Sequence, residues 1–263
     1  MFGYSAQALP TTTPDYKAIF GQRDGCFLLS DLSTGKVIEE YNVKRCAERL
    51  SPCSSFKIAA ALMAFDKGIL KNENQIIKWD GVKRDREELN KDQTPYNWMK
   101  NSAMWVTQWI TPQLGNETIN SFLSQFEYGN RDFSGGITTA WQTSTLKISA
   151  HEQSAFLRKL WSGELPISKT SMDLTKKIVF IKTLGADSHL YGKTGTGCID
   201  EACDKETGKR MIGWFVGVLK TKNKQYVFAA NASDLVPDPK GQPAGPRLRQ
   251  TVIEVFKKLG LTN

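Results

Sequence analysis

Between residues 54 and 70 the chain carries Phe56, Ile58, Ala59, Ala60, Leu62, Met63 and Phe65, which together leave a helix almost no polar face. Pro52 stands just before this stretch, and Gly68 helps to end it. A helix apolar all round is stable only when other elements cover it on every side, so it must lie at the centre of the fold. Lys57, near its start, is carried inside with it.

The rest of the chain supplies the cover. Residues 26–31 and 36–41, joined by the turn Leu32-Ser33-Thr34-Gly35, read as a β-hairpin. From about 72 to 188 the pattern is helical, clearest at 118–126 and 152–160, with Pro, Gly and Asn between segments. Strand character returns at 190–194, 213–219 and 225–230, and an amphipathic helix follows at 248–259. The expected fold class is therefore α+β: an antiparallel sheet made by the N- and C-terminal parts, flanked by helices, with an inserted helical lobe. A cleft is expected where sheet and lobe meet. At 263 residues and 40% hydrophobic content the chain can support one catalytic domain over 21–263, its sheet lobe at 21–50 and about 188–263 and its helical lobe at 51–187. Residues 1–20 read as a tail, in which Ala6-Gln7-Ala8 has the small-x-small form of a signal-peptide remnant.

Several functions are disfavoured. No run of 18 apolar residues occurs, so no helix for membrane insertion is expected. The net charge of +8 comes from scattered residues, and a run such as Lys83-Arg84-Asp85-Arg86-Glu87-Glu88 reads as solvated surface, so no nucleic-acid partner is expected. Cys26, Cys46, Cys53, Cys198 and Cys203 have no zinc-site spacing, so no metal is expected. Cys198 and Cys203 bracket a short polar loop and could either close a disulfide in an oxidising compartment or stay as buried thiols.

The chain has only two histidines, His151 and His189, in polar surroundings, and no G-x-S-x-G, so a serine nucleophile here would need another base. A lysine kept unprotonated can fill that role. S-x-x-K occurs three times, at Ser33/Lys36, Ser54/Lys57 and Ser144/Lys147, where chance gives about one. Only Ser54/Lys57 puts the hydroxyl at the first turn of a buried helix and the amine one turn on, facing the same way. Backbone N–H groups at that helix start can form half of an oxyanion hole. The strand-like Lys193-Thr194-Gly195-Thr196 can supply the other half, with a glycine that allows close approach.

S-x-x-K, then S-x-x, then K-T-G is the motif set of serine β-lactamases and penicillin-binding proteins, and within that superfamily the chain resembles the class D (oxacillinase-type) β-lactamases. Ser54-Ser55-Phe56-Lys57, Ser102-Ala103-Met104, Tyr128-Gly129-Asn130 and Lys193-Thr194-Gly195 carry the resemblance in the right order, and the segment from Trp141 to Ser149 looks like the class's tryptophan-bearing loop. The resemblance implies the penicillin-recognising transpeptidase/β-lactamase fold and hydrolysis of penicillins and cephalosporins through a Ser54 acyl-enzyme. It implies that Lys57 carries carbon dioxide as a carbamate held by the Trp141 indole, with no diffusible cofactor and no metal. Ser102 would pass a proton to the lactam nitrogen, beside Lys193, and the Ser54 and Thr196 amides would form the oxyanion hole. Thr194, Gly195, Thr196 and Arg249, with Arg247 as the alternative arginine, would bind substrate. Met104 stands where the class pattern has valine and would crowd access to Lys57. Export to the periplasm or medium is expected. Two rival readings share the motifs: a β-lactam sensor domain that stays acylated, and a D,D-peptidase.

Overall fold

In the segment Cys26-Phe27-Leu28-Leu29 every residue is buried, because the strand that contains it has protein on both faces. The computed structural model describes residues 13–185, 187–199, 203, 210–236, 238 and 240–262. Six antiparallel strands, β1 (Arg23–Asp31), β2 (Val37–Tyr41), β3 (Phe180–Thr183), β4 (His189–Cys198), β5 (Met211–Lys220) and β6 (Gln225–Asp234), form one sheet in the order β2-β1-β6-β5-β4-β3. The N-terminal hairpin thus pairs with the last strand, and both ends of the chain complete one sheet, as expected.

Side chains alternate between two cores. On one face Phe27, Leu29, Phe215, Leu219 and Phe228 meet α1 (Tyr16–Phe20) and α9 (Ala244–Lys258), the latter through Leu248, Val252, Val255 and Phe256. The other face, with Cys26, Leu28, Val216, Val218, Val227 and Ala229, meets the helical lobe. That lobe comprises α3 (Lys57–Asp66), α4 (Pro95–Asn101), α5 (Met104–Leu114), α6 (Asn116–Gln125), α7 (Ala150–Ser162) and α8 (Lys169–Ile178), with the short α2 (Val43–Ala47) preceding it. Every residue of α3 from Lys57 to Phe65 is buried, and the helix packs against α5 and α8, which confirms its central place.

Three details differ from expectation. The apolar helix opens with a 3-10 turn, Cys53–Phe56, before becoming α-helical at Lys57. β3 lies inside the stretch expected to be helical: four residues at the sheet edge, none of them buried, pair only with the start of β4 and carry no alternation to read. Within the expected tail 1–20, α1 belongs to the fold, because Tyr16 stacks on Tyr41 at 4.9 Å and Phe20 is buried beside it. Asp15 caps α1 by accepting from Ala18 N at 3.0 Å. Ala6-Gln7-Ala8 lies outside the described residues.

Arg45 fastens α2 to the sheet. Its buried guanidinium donates to Asn231 Oδ1 (2.9 Å) and Ser233 Oγ (2.5 Å) on β6, and Nη1 faces Asp24 (3.3 Å) and Glu48 (3.0 Å). Both carboxylates are about half exposed and can regain water, so the cost of Arg45→Ala falls mainly on the two buried β6 groups left unpaired. We expect a loss of about 2 kcal/mol, read as a lower urea midpoint at unchanged m-value.

Candidate active site

The nucleophile turn is built by backbone geometry. Cys53 sits in the left-handed region (φ 50°), Ser55 N donates to Pro52 O at 3.1 Å, and Cys53 N donates to Trp141 O at 2.9 Å, which clamps the turn to the tryptophan loop. One turn on, Lys57 Nζ donates to Ser54 Oγ at 3.1 Å, the one hydrogen bond its amine makes among the described residues. Lys57 is fully buried and has no ion pair there. Burial brings its amine down from 10.5 to about 7, because no carboxylate offsets the cost of holding a charge in the core. The adjacent Cys53 thiol offers no counter-charge, since burial pushes it up to about 12, against a smaller pull from Lys147 and Lys57.

The Trp141 Nε1–H is buried without an acceptor among the described residues, in a ring stack with Phe133 (6.0 Å) and with Phe56 (5.3 Å), the residue before Lys57. A buried donor with nothing to donate to is rare and calls for a ligand or a modified side chain. The residues thus fit a carbamate at Lys57, which would bring acceptor oxygens.

The second serine comes from the joint between α4 and α5. Ser102 is left-handed (φ 55°, ψ 37°) and caps α4, and its Oγ accepts from Lys193 Nζ at 3.0 Å. Lys193 also donates to Thr194 O at 2.9 Å. Burial, and then the cations Lys57, Arg249 and Arg86, hold its amine well below the ordinary lysine range.

β4 brings Lys193 to the nucleophile because of its glycines. A Cβ at Gly195 would stand 2.9 Å from Pro52 O and 3.3 Å from Ser54 N, and one at Gly197 would stand 2.6 Å from Cys53 Sγ. Lys193, Gly195 and Gly197 therefore share the face toward the serine turn, while Thr194 and Thr196 face α9, where Thr196 Oγ1 accepts from Gly245 N at 2.9 Å. Between Gly192, whose N–H reaches Val179 O, and Cys198, which Thr143 holds, β4 pairs only with β5 among the described residues, which leaves its outer edge open beside Ser54.

The two candidate arginines separate clearly. Arg247 is committed to Asp234, donating through Nη1 (2.9 Å) and Nη2 (2.5 Å). The guanidinium of Arg249 has no hydrogen bond or ion pair among the described residues, and its charge is felt at Lys193. Met104 opens α5 with Sδ 3.9 Å from Gln142 Nε2, against the tryptophan loop.

Tyr128-Gly129-Asn130 is a brace. Gly129 is left-handed, and a Cβ there would stand 2.0 Å from Lys147 O; Asn130 holds the loop through Thr145 O (2.7 Å), Lys147 O (2.9 Å) and Lys147 N (2.9 Å). The other S-x-x-K pairs do not converge: Ser33 Oγ donates to Asp31 in an exposed turn, Ser144 Oγ to Gly135 O, and Lys147 Nζ to Ser51 Oγ. His151 pairs with Glu40 and His189 with Thr183. Sequence reasoning missed three contributors. Gln153 donates to Ser55 Oγ (2.9 Å), Thr143 Oγ1 ties Cys198 O (2.9 Å) and N (3.2 Å) to the tryptophan loop, and Arg86 reaches the back of Ser102. Cys198 and Cys203 are joined as a disulfide, and Cys26, Cys46 and Cys53 are buried free thiols. Among the described residues no group of three or more His, Cys, Asp or Glu could hold a metal ion, and no helix is long and apolar enough to cross a membrane.

The family model "Penicillin binding protein transpeptidase domain" matches residues 25–253. Beta-lactamase OXA-1 of Escherichia coli is 39% identical over 235 residues, which cover 86% of this chain and 82% of its own. The Bacillus subtilis (strain 168) protein "Probable beta-lactamase YbxI" is 37% identical over 242 residues, 92% of this chain and 83% of its own. A crystal structure of a class D β-lactamase from Bacillus subtilis superposes with a TM-score of 0.85 at 35% identity, covering 97% of this chain and all of that one. With likeness of this extent in both sequence and fold, the chain belongs to the class D β-lactamases, serine hydrolases that act on β-lactams without a metal.

Proposed function

We propose that β-lactams are opened by Ser54 Oγ, which attacks the lactam carbonyl while its proton leaves toward the Lys57 side chain, 3.1 Å away. The backbone N–H groups of Ser54 and Thr196 receive the developing oxyanion, one from the nucleophile turn and one from the open edge of β4. Ser102 Oγ gives a proton to the departing lactam nitrogen and is resupplied through Lys193 Nζ. Thr194, Gly195 and Arg249 bind the substrate carboxylate, whose negative charge opposes the burial and the neighbouring cations that hold the Lys193 amine below the ordinary lysine range. Met104, beside Gln142, narrows the approach to Lys57.

A carbamate on Lys57, which Trp141 Nε1–H would hold, would supply the general base for acylation and for deacylation by water. What supports this is a buried lysine lowered to about 7 on the turn that Trp141 clamps, together with an indole donor that has no acceptor among the described residues. Only a neutral amine reacts with carbon dioxide, so activity falls as pH drops through about 7 and Lys57 takes up a proton. In 13C-bicarbonate at pH 8 we expect a carbamate carbonyl resonance in the wild type, absent in Lys57→Ala and weakened in Trp141→Phe; a wild-type spectrum without it would sink the carbamate. The disulfide suits an oxidising compartment and supports export to the periplasm or medium.

A further inference from the structure

Helix α4 ends in backbone that must be satisfied from outside. Ser102 N donates to Met99 O (3.3 Å) and Ala103 N to Trp98 O (3.2 Å), a left-handed terminus that leaves the Asn101 carbonyl to find another donor. That donor is Arg86, whose Nη2 lies 2.9 Å from Asn101 O. A cation at a helix C-terminus is favoured by the local dipole as well as by the hydrogen bond.

Arg86 is itself held in place. Glu88 Oε1 accepts from its Nε at 2.8 Å and lies 2.7 Å from Nη2. The loop that carries it is pinned to α4 and α5: Asn101 Nδ2 donates to the buried Gln93 (3.3 Å), Trp105 Nε1 to Leu89 O (3.2 Å), and Arg84 lies over the Trp105 ring at 5.8 Å. The chain of contacts therefore runs from Glu88 to Arg86, from Arg86 to the carbonyl just before Ser102, and from Ser102 Oγ to Lys193 Nζ. Ser102 needs this support, since a non-glycine residue at positive φ persists only where its surroundings hold it.

We propose that Arg86 is a positioning residue for the reaction: its guanidinium fixes the α4 terminus so that the Ser102 hydroxyl faces Lys193 and the lactam nitrogen. This rests on the proton-relay reading of Ser102. Arg86 acts chiefly through the backbone, its charge being the smallest of the cationic influences on Lys193, and it does not touch substrate.

The test is a double-mutant cycle on the acylation rate, measured in single-turnover reactions with a chromogenic cephalosporin at saturating bicarbonate. Arg86→Ala should slow acylation about tenfold, the scale expected when a reacting group is held less well in place, with little change in apparent substrate affinity or melting temperature. Arg86→Lys, which keeps the charge and an ammonium that can donate to Asn101 O, should recover part of the loss. In a Ser102→Ala background, Arg86→Ala should have less than about a twofold further effect, because its backbone route to the chemistry is gone and only its weak influence on the Lys193 charge remains. An equal loss in both backgrounds, a loss seen only in affinity, or no loss at all would overturn the assignment. If Ser102→Ala alone leaves acylation unchanged, it is the relay reading that fails. If Ser102→Ala slows acylation and Arg86→Ala does not, the fault lies with Arg86.

Discussion

Ser54→Ala is expected to lower penicillin hydrolysis by at least about 10⁴-fold, to a level set by binding and the oxyanion hole alone. The adjacent Ser55 hydroxyl cannot stand in. Ser55 Oγ donates to Pro52 O at 2.7 Å and accepts from Gln153 at 2.9 Å, so its proton and one lone pair are already engaged and it has no lysine to take the proton. Intact-protein mass spectra should show a penicilloyl adduct on the wild type during turnover and none on the variant. The same experiment separates the enzyme from its motif-sharing rivals, since a sensor domain opens one equivalent of lactam, keeps it as the serine ester and stops, whereas this chain should continue. Undiminished hydrolysis by the Ser54→Ala protein would refute the whole assignment.

The second large effect couples activity to stability with opposite signs. Lys57→Met keeps the length and packing of the side chain while deleting the amine, so turnover should fall by about 10³-fold, the loss expected for a general base. The acyl-enzyme should persist for hours, because the group that activates water is also gone. Stability should rise. The unfolded chain keeps the Lys57 proton up to about 10.5 and the folded chain only to about 7, so wild-type stability climbs with pH across that interval, and the methionine protein lacks this slope. Its advantage is greatest at and below pH 7 and vanishes above 10.5; melting curves in bicarbonate-free buffer at pH 6, 8 and 10 test this. A variant less stable than wild type at pH 6 would show that the burial cost of Lys57 has been misread.

The parts of this molecule that were legible beforehand are those where chemistry and periodicity coincide. The helix begun by Ser54 and Lys57 could be read because almost nothing on it is polar, and its lysine stands out for that reason. Lys193-Thr194-Gly195 could be read because glycines in a strand mark close approach, which the contact with Pro52 and Ser54 explains. β3 and α1 escaped because four or five residues at an edge carry too little pattern. Arg86 escaped for a different reason: within a mixed charge run, a guanidinium aimed at a helix terminus is spelled the same way as one aimed at water. Thr143 and Gln153 work through single side-chain hydrogen bonds, which leave no spacing to detect. The disulfide and the choice between Arg247 and Arg249 needed three dimensions, since spacing allowed either outcome until Asp234 was seen to occupy Arg247.

The pairing of β1 with β6 along their whole length also governs when this protein can acquire its shape. The first strand made by the ribosome has no neighbour on that side until the last one has been made, and the open edge beside Ser54 belongs to a sheet that cannot close before then. Folding must wait for the far end of the polypeptide, which makes it slow for the size of the domain.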